Sequence, residues 1–127
     1  GISFTSMLCE NVVKQLQSEN IFCDLFDIRL LNPLKIEEII KSVENTGRLL
    51  VVDGDWATCG MASEIITRVV EKMDLTNLKA SPIRITLPDA PAPTSIVLED
   101  NYYILYHLNF LDLLQYDLLK LFDIQLK

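Results

Sequence analysis

The 127-residue sequence predicts one α/β domain, with helices layered on both sides of a mostly parallel sheet. Three observations lead there. Short apolar runs alternate with segments whose apolar residues recur at i, i+3, i+4 and i+7, the strand–helix alternation of layered α/β domains. The helical segments between strands are short, which favours right-handed crossovers between parallel neighbours. Half of the residues are apolar and 23% are charged, enough for a sizeable core.

Taken in order, Ile2 to Thr5 is short and β-prone. Cys9, Val12, Val13 and Leu16 then share one helical face, with Ser6 as the expected N-cap and fraying near Ser18 to Asn20. Ile21 to Ile28 is apolar on both faces apart from Asp24 and Asp27, which suits a strand covered on both sides. A turn at Asn32-Pro33 leads to a second helix through Ile36, Ile39, Ile40 and Val43, stopped by Gly47. Leu49 to Val52 reads as a central parallel strand. A tight polar turn with Asp53, Gly54, Asp55 and Trp56 follows, and Gly60 opens a helix carried by Ala62, Ile65, Ile66 and Val69. Pro82 to Leu87 alternates Ile83, Ile85 and Leu87 with Arg84 and Thr86, giving a strand with one wetter face. Pro88 to Ser95 (PDAPAPTS) is short and flanked by apolar residues, so it reads as an ordered surface loop. From Asn109, Asp112, Gln115, Lys120, Asp123 and Lys127 hold one polar stripe while leucine and phenylalanine cover the rest. That tail, within 104–127, needs cover on more than one side, and Leu114 and Leu118 are its expected interface residues.

Charge and chemistry exclude several functions. The net charge is −7 and the eleven Lys and Arg are spread thinly, so a nucleic-acid partner is not expected. No apolar run reaches the ~18–20 residues of a membrane span. Cys9, Cys23 and Cys59 are far apart and form no Cys-x-x-Cys pair, which fits free thiols in a reducing, cytoplasmic setting. His107 is the only histidine, and no motif surrounds any serine, so a hydrolase triad has no support. The glycines at 1, 47, 54 and 60 do not make a dinucleotide fingerprint or a P-loop. The Gly54–Gly60 loop offers a helix N-terminus to an anion, but Asp53 and Asp55 would repel it. These two carboxylates are explained by a polar turn more simply than by a Mg²⁺ site. Trp56 reads equally as a plug on the core or as an interface anchor.

Four stretches, taken together, resemble a known module. They are DLFDIRLLNPLKIEEIIKSVENTGRLLVVDG, WATCGMASEI, LPDAPAPTS and LEDNYY, covering residues 2–103. Their order and spacing resemble the C-terminal domain of transketolase-like, thiamine diphosphate-dependent enzymes. The nearest likeness is to the beta subunit of the first component of 2-oxo acid dehydrogenase complexes (pyruvate, branched-chain and acetoin types). Two positions depart from the pattern: Lys35 stands where the family usually has a helix-capping aspartate, and Asp53 where glutamate is common.

The resemblance implies a three-layer α/β/α sandwich with a five-stranded, mostly parallel but mixed sheet, its first strand antiparallel. It also implies that thiamine diphosphate and Mg²⁺ sit between two other domains of the parent enzyme. The C-terminal domain would supply subunit contacts and help dock the subunit-binding domain of the acyltransferase. On that basis residues 1–127 are one domain of a larger oligomeric enzyme, beginning at the module's first strand. The domain alone has no catalytic, cofactor-binding or metal residue, and Trp56 belongs to a structural and interface corner. Transketolase or deoxyxylulose phosphate synthase as parent, and a free-standing binding module acting through the tail and Trp56, are the alternatives.

Overall fold

The computed structural model describes residues 1–103. In chain order the elements are helices α1 (Phe4–Ser18) and α2 (Glu37–Thr46), strand β1 (Leu50–Trp56) and helix α3 (Met61–Lys72). A 3-10 turn (Leu75–Asn77), strand β2 (Ile83–Leu87) and helix α4 (Ile96–Tyr102) complete them. β1 and β2 pair in parallel, Leu50 opposite Ile83 and Val52 opposite Ile85, with α3 as the crossover. An isolated parallel bridge joins Ile2 to Ile28.

The period-2 pattern of β1 decides where the core sits. Val52 turns to one face, where it meets Leu8, Cys9, Val12 and Leu16 of α1 together with Ile85, Leu87 and Tyr102. Leu49 and Val51 turn to the other, against Ile36, Ile39 and Val43 at α2 and Ala62, Ile65 and Val69 of α3. Helices therefore cover both faces, as the apolar spacing requires. Gly47 ends α2 at φ 75°, a left-handed conformation that glycine adopts without steric cost. No side chain caps α2 at its start, beside Lys35; Glu37 and Glu38 lie in the first turn, favourably placed for the helix dipole.

Several sequence expectations are corrected. Phe4 and Thr5 already belong to α1, so only Ile2 of the expected first strand pairs with anything. Ser6 lies inside the helix rather than capping it, and its hydroxyl donates to Asp27 Oδ1 at 2.6 Å. Among the described residues Ile21 to Ile28 carries no strand ladder beyond Ile28, and Phe22 is 78% exposed, so that stretch is not covered on both sides. β1 does not stop at Val52 but runs to Trp56 through a register shift, because Trp56 pairs with Leu87 beyond the polar residues. The helix α4, not anticipated, follows the proline-rich loop. The described residues hold one two-stranded sheet and, apart from it, one isolated bridge, which leaves the five strands that the resemblance implies untested. His107, the helix from Asn109, Leu114 and Leu118 lie outside the described residues.

Candidate functional site

The most information-rich stretch of the sequence folds into a corner where β1 hands over to α3. Gly60 is the N-cap of α3, in extended backbone, and offers no side chain to the orphan amides of the first turn. Asp53, near the middle of β1 and only 4% exposed, fills that role, its Oδ2 accepting from Ala62 N–H at 2.9 Å. A buried carboxylate here satisfies an orphan donor and stands at the positive end of the helix dipole. Gly60 is needed for a steric reason as well: a Cβ there would lie 2.2 Å from the Trp56 carbonyl oxygen. Cys59 just before it takes φ 62°, uncommon for a residue with a side chain, which marks how tight the corner is.

Residues far along the chain close the corner from outside. Asp89 of the proline-rich loop accepts the Thr58 hydroxyl at 2.8 Å and the Thr58 N–H at 3.1 Å. Those two donors hold the Asp89 carboxyl below the usual carboxylate range, with Arg84 adding a smaller push in the same direction. Arg84 donates to the Ala57 carbonyl at 2.7 Å and to Ser63 Oγ. The Trp56 indole N–H donates to the Tyr102 hydroxyl at 2.6 Å, and that hydroxyl donates to the Ala90 carbonyl at 2.8 Å. One tyrosine thus links β1, the proline-rich loop and α4. Asp55 Oδ1 accepts the Trp56 N–H at 2.8 Å.

Chemically, the corner spends its acceptors and donors on itself. Asp53 and Asp55 serve two different backbone amides, so each carboxylate already has its own donor. Among the described residues no buried side-chain N or O lacks a partner. Trp56 stays 45% exposed while its N–H is tied inward, which combines the two readings of it, a tether and an exposed aromatic. Cys9 is buried and Cys23 half-buried, burial pushing both thiols up, while Cys59 is exposed.

The structure therefore brings Asp53, Trp56 and Gly60 together, as their spacing suggested. It adds Thr58, Arg84, Asp89 and Tyr102, which sequence reasoning gave no role. The signals were present in LPDAPAPTS and LEDNYY, but only the fold brings them to the β1–α3 turn.

The fold and this corner define a small α/β domain built on a parallel strand–helix–strand unit with a self-satisfied turn. The chain belongs to the transketolase C-terminal domain family, the match running over residues 1–105. It is 37% identical over 93 residues to the mitochondrial pyruvate dehydrogenase E1 component subunit beta of Mus musculus, covering 73% of this chain and 26% of that protein. It is 39% identical over 87 residues to the acetoin:2,6-dichlorophenolindophenol oxidoreductase subunit beta of Cupriavidus necator (68% and 25%). Against the pyruvate dehydrogenase E1 component subunit beta of Rickettsia bellii it is 38% identical over 84 residues (66% and 26%). The chain spans about a quarter of the length of these relatives.

Proposed function

We propose that this chain is the non-catalytic C-terminal assembly domain of the beta subunit of a thiamine diphosphate-dependent 2-oxo acid dehydrogenase. The observation that carries the reading is the family match together with relatives that are beta subunits of such dehydrogenases or of an acetoin oxidoreductase by name. The parent decarboxylates a 2-oxo acid and passes the acyl group to lipoamide. The complete module is a five-stranded, three-layer sandwich.

The cofactor belongs elsewhere in that parent, and the corner's chemistry supports this. A diphosphate needs free N–H donors or cations. Here Ala62 N–H is taken by the Asp53 carboxylate, and Arg84 is engaged by Ala57 and Ser63. The residues of this corner do not fit thiamine diphosphate, and no step is assigned to them. Their work is to hold the β1–α3 turn, the proline-rich loop and α4 in one arrangement for subunit contact. The exposed apolar side chains of Trp56, Ile96, Val97 and Leu98 support an interface there. That proposed interface serves the other domains and subunits of the parent and the subunit-binding domain of the acyltransferase; Leu114 and Leu118, outside the described residues, are assigned to subunit contact from the sequence alone. A reducing compartment completes the proposal, cytoplasm or the mitochondrial matrix, consistent with three free cysteines.

The test is to isolate the native polypeptide with an antibody to this domain, weigh it intact, and assay it for thiamine diphosphate-dependent decarboxylation of 2-oxo acids. A mass about three times that of this chain, with that activity, is expected. A distinctly larger, ketol-transferring polypeptide would point to transketolase or the synthase. A polypeptide of this chain's mass alone would overturn the assembly-domain reading in favour of a free-standing binding module.

A further inference from the structure

We infer that residues 88–103 form a strap, fastened at two points to the β1–α3 turn, that opens and closes as one unit while the rest of the domain stays folded.

Burial along the chain marks the segment out. β2 ends at Leu87, which is buried, and burial resumes only at Tyr102. Between them, residues 88–99 are exposed except for Pro93, which is half-buried. Of the described side chains of α4, Tyr102 alone is buried; Ile96, Val97 and Leu98 are all exposed. The neighbouring helix α3 differs, with Ile65 and Val69 almost wholly out of solvent. A segment that buries so few apolar groups draws little stability from the core, and such segments open at lower free energy than the fold as a whole.

Two fasteners hold it. At the near end the Asp89 carboxylate accepts the Thr58 hydroxyl at 2.8 Å and the Thr58 N–H at 3.1 Å. At the far end the Tyr102 hydroxyl accepts the Trp56 indole N–H at 2.6 Å, and the ring joins the α1-side core with Ile85 and Leu87. Both fasteners end on the same turn, at residues two positions apart.

The strap's own bonds make it a unit. Tyr102 Oη donates to the Ala90 carbonyl at 2.8 Å, tying together two residues twelve positions apart. The result is a closed surface loop within the ~6–16 residues typical of Ω-loops. Pro88, Pro91 and Pro93 fix φ and have no N–H, so the loop is stiff and offers few donors to the body. The Leu98 and Glu99 N–H groups donate to the Ser95 carbonyl at 2.9 Å, and the Tyr103 N–H to the Glu99 carbonyl at 2.8 Å. All these bonds lie within the strap and survive its release. Opening breaks only the bonds from Thr58 and Trp56 and withdraws the Tyr102 ring. Because Ala90 adjoins Asp89 and is bonded to Tyr102, loss of one fastener loosens the other.

The strap carries Ile96, Val97 and Leu98, so a partner seated on them binds the fastened form and pays for any unfastened fraction in apparent affinity. Only this last link rests on the assembly-domain reading.

The experiment is amide hydrogen exchange at single-residue resolution on the full 127-residue chain, in low urea. Thr58 N–H reports the near fastener, Tyr103 N–H the far end and the Val69 amide the body. Thr58 and Tyr103 are expected to show the same protection within about three-fold, about 100-fold or more below Val69. Their exchange should respond weakly to urea, because opening exposes little surface, while that of Val69 responds steeply. Asp89→Asn should speed Thr58 and Tyr103 alike, by about ten-fold. Protection of Thr58 and Tyr103 equal to that of Val69 would make the segment part of the core and overturn the strap. No protection at either amide would show that it is never fastened. Acceleration of Thr58 alone in Asp89→Asn would show two separate contacts in place of one unit. None of these readouts depends on which reaction the parent catalyses, so failure of the strap and failure of the dehydrogenase reading are separate outcomes.

Discussion

Replacing Tyr102 with phenylalanine deletes a single hydroxyl that joins three segments. The ring keeps its place in the α1-side core and its edge-on contact with Tyr103, whose centroid lies 4.9 Å away, so packing is conserved. What is lost is the bond from the Trp56 indole at 2.6 Å and the bond to the Ala90 carbonyl at 2.8 Å. A typical intramolecular hydrogen bond is worth about 0.5–1.5 kcal/mol net. Trp56 is 45% exposed, so water can replace its lost partner in part, and the two bonds together come to about 1–2 kcal/mol. For a domain near a hundred residues that lowers Tm by about 4–8 °C per kcal/mol. The assay is urea unfolding followed by emission from Trp56, the only tryptophan, and by far-UV circular dichroism. We expect a lower midpoint at unchanged slope, because the exposed surface does not change. A red-shifted native emission should accompany it. An unmoved midpoint together with unmoved emission would show that Tyr102 does not tie the corner, and would refute the reasoning.

Four further outcomes follow from the same geometry. Gly60→Ala places a methyl 2.2 Å from the Trp56 carbonyl and should cost about 3 kcal/mol or prevent soluble expression, read by the same unfolding curve; wild-type stability would contradict the steric account. Ile65→Ala, in the core between α3 and β1, should cost about 2–5 kcal/mol, whereas a cost below 1 kcal/mol would mean the site collapses freely. Thr58 holds the Asp89 carboxyl below its ordinary range, so the folded form binds the proton more weakly than the unfolded chain. Its contribution is complete above the unfolded carboxylate value near pH 4 and is lost as pH falls through the folded one. Asp89→Asn should therefore flatten the acid limb of the stability curve, and an unchanged limb would count against it. Thiamine diphosphate with Mg²⁺, titrated to millimolar levels, should leave Trp56 emission unchanged, and a saturable quench would assign the cofactor to this domain after all.

Much of the architecture was legible because burial imposes periodicity. The helices through Val12, Val43 and Val69, the glycine stop at Gly47 and the parallel pair of strands all follow from apolar spacing and turn chemistry. The failures are equally physical. Ile21 to Ile28 has the composition of a buried strand, yet composition does not say whether its neighbour is present, and among the described residues it forms one bridge. Ser6 is a good cap residue, but Asp27, twenty-one positions away, holds its hydroxyl instead. α4 escaped because a seven-residue helix after a proline-rich loop offers too few turns for its period to show.

The sequence by itself determined the α/β class and the helix faces, because those properties are written in the spacing of apolar residues, and four of its stretches carried the likeness to the family. It also showed that Asp53, Trp56 and Gly60 stand near one another, being close in the chain. Only tertiary structure decided what they do. Asp53 becomes a buried partner of Ala62 N–H because α3 begins within reach of β1. Trp56 becomes a tether because Tyr102, forty-six residues later, comes back to meet it. Long-range hydrogen bonds carry no signature in a single sequence, since each partner is chosen by how the chain packs rather than by its neighbours.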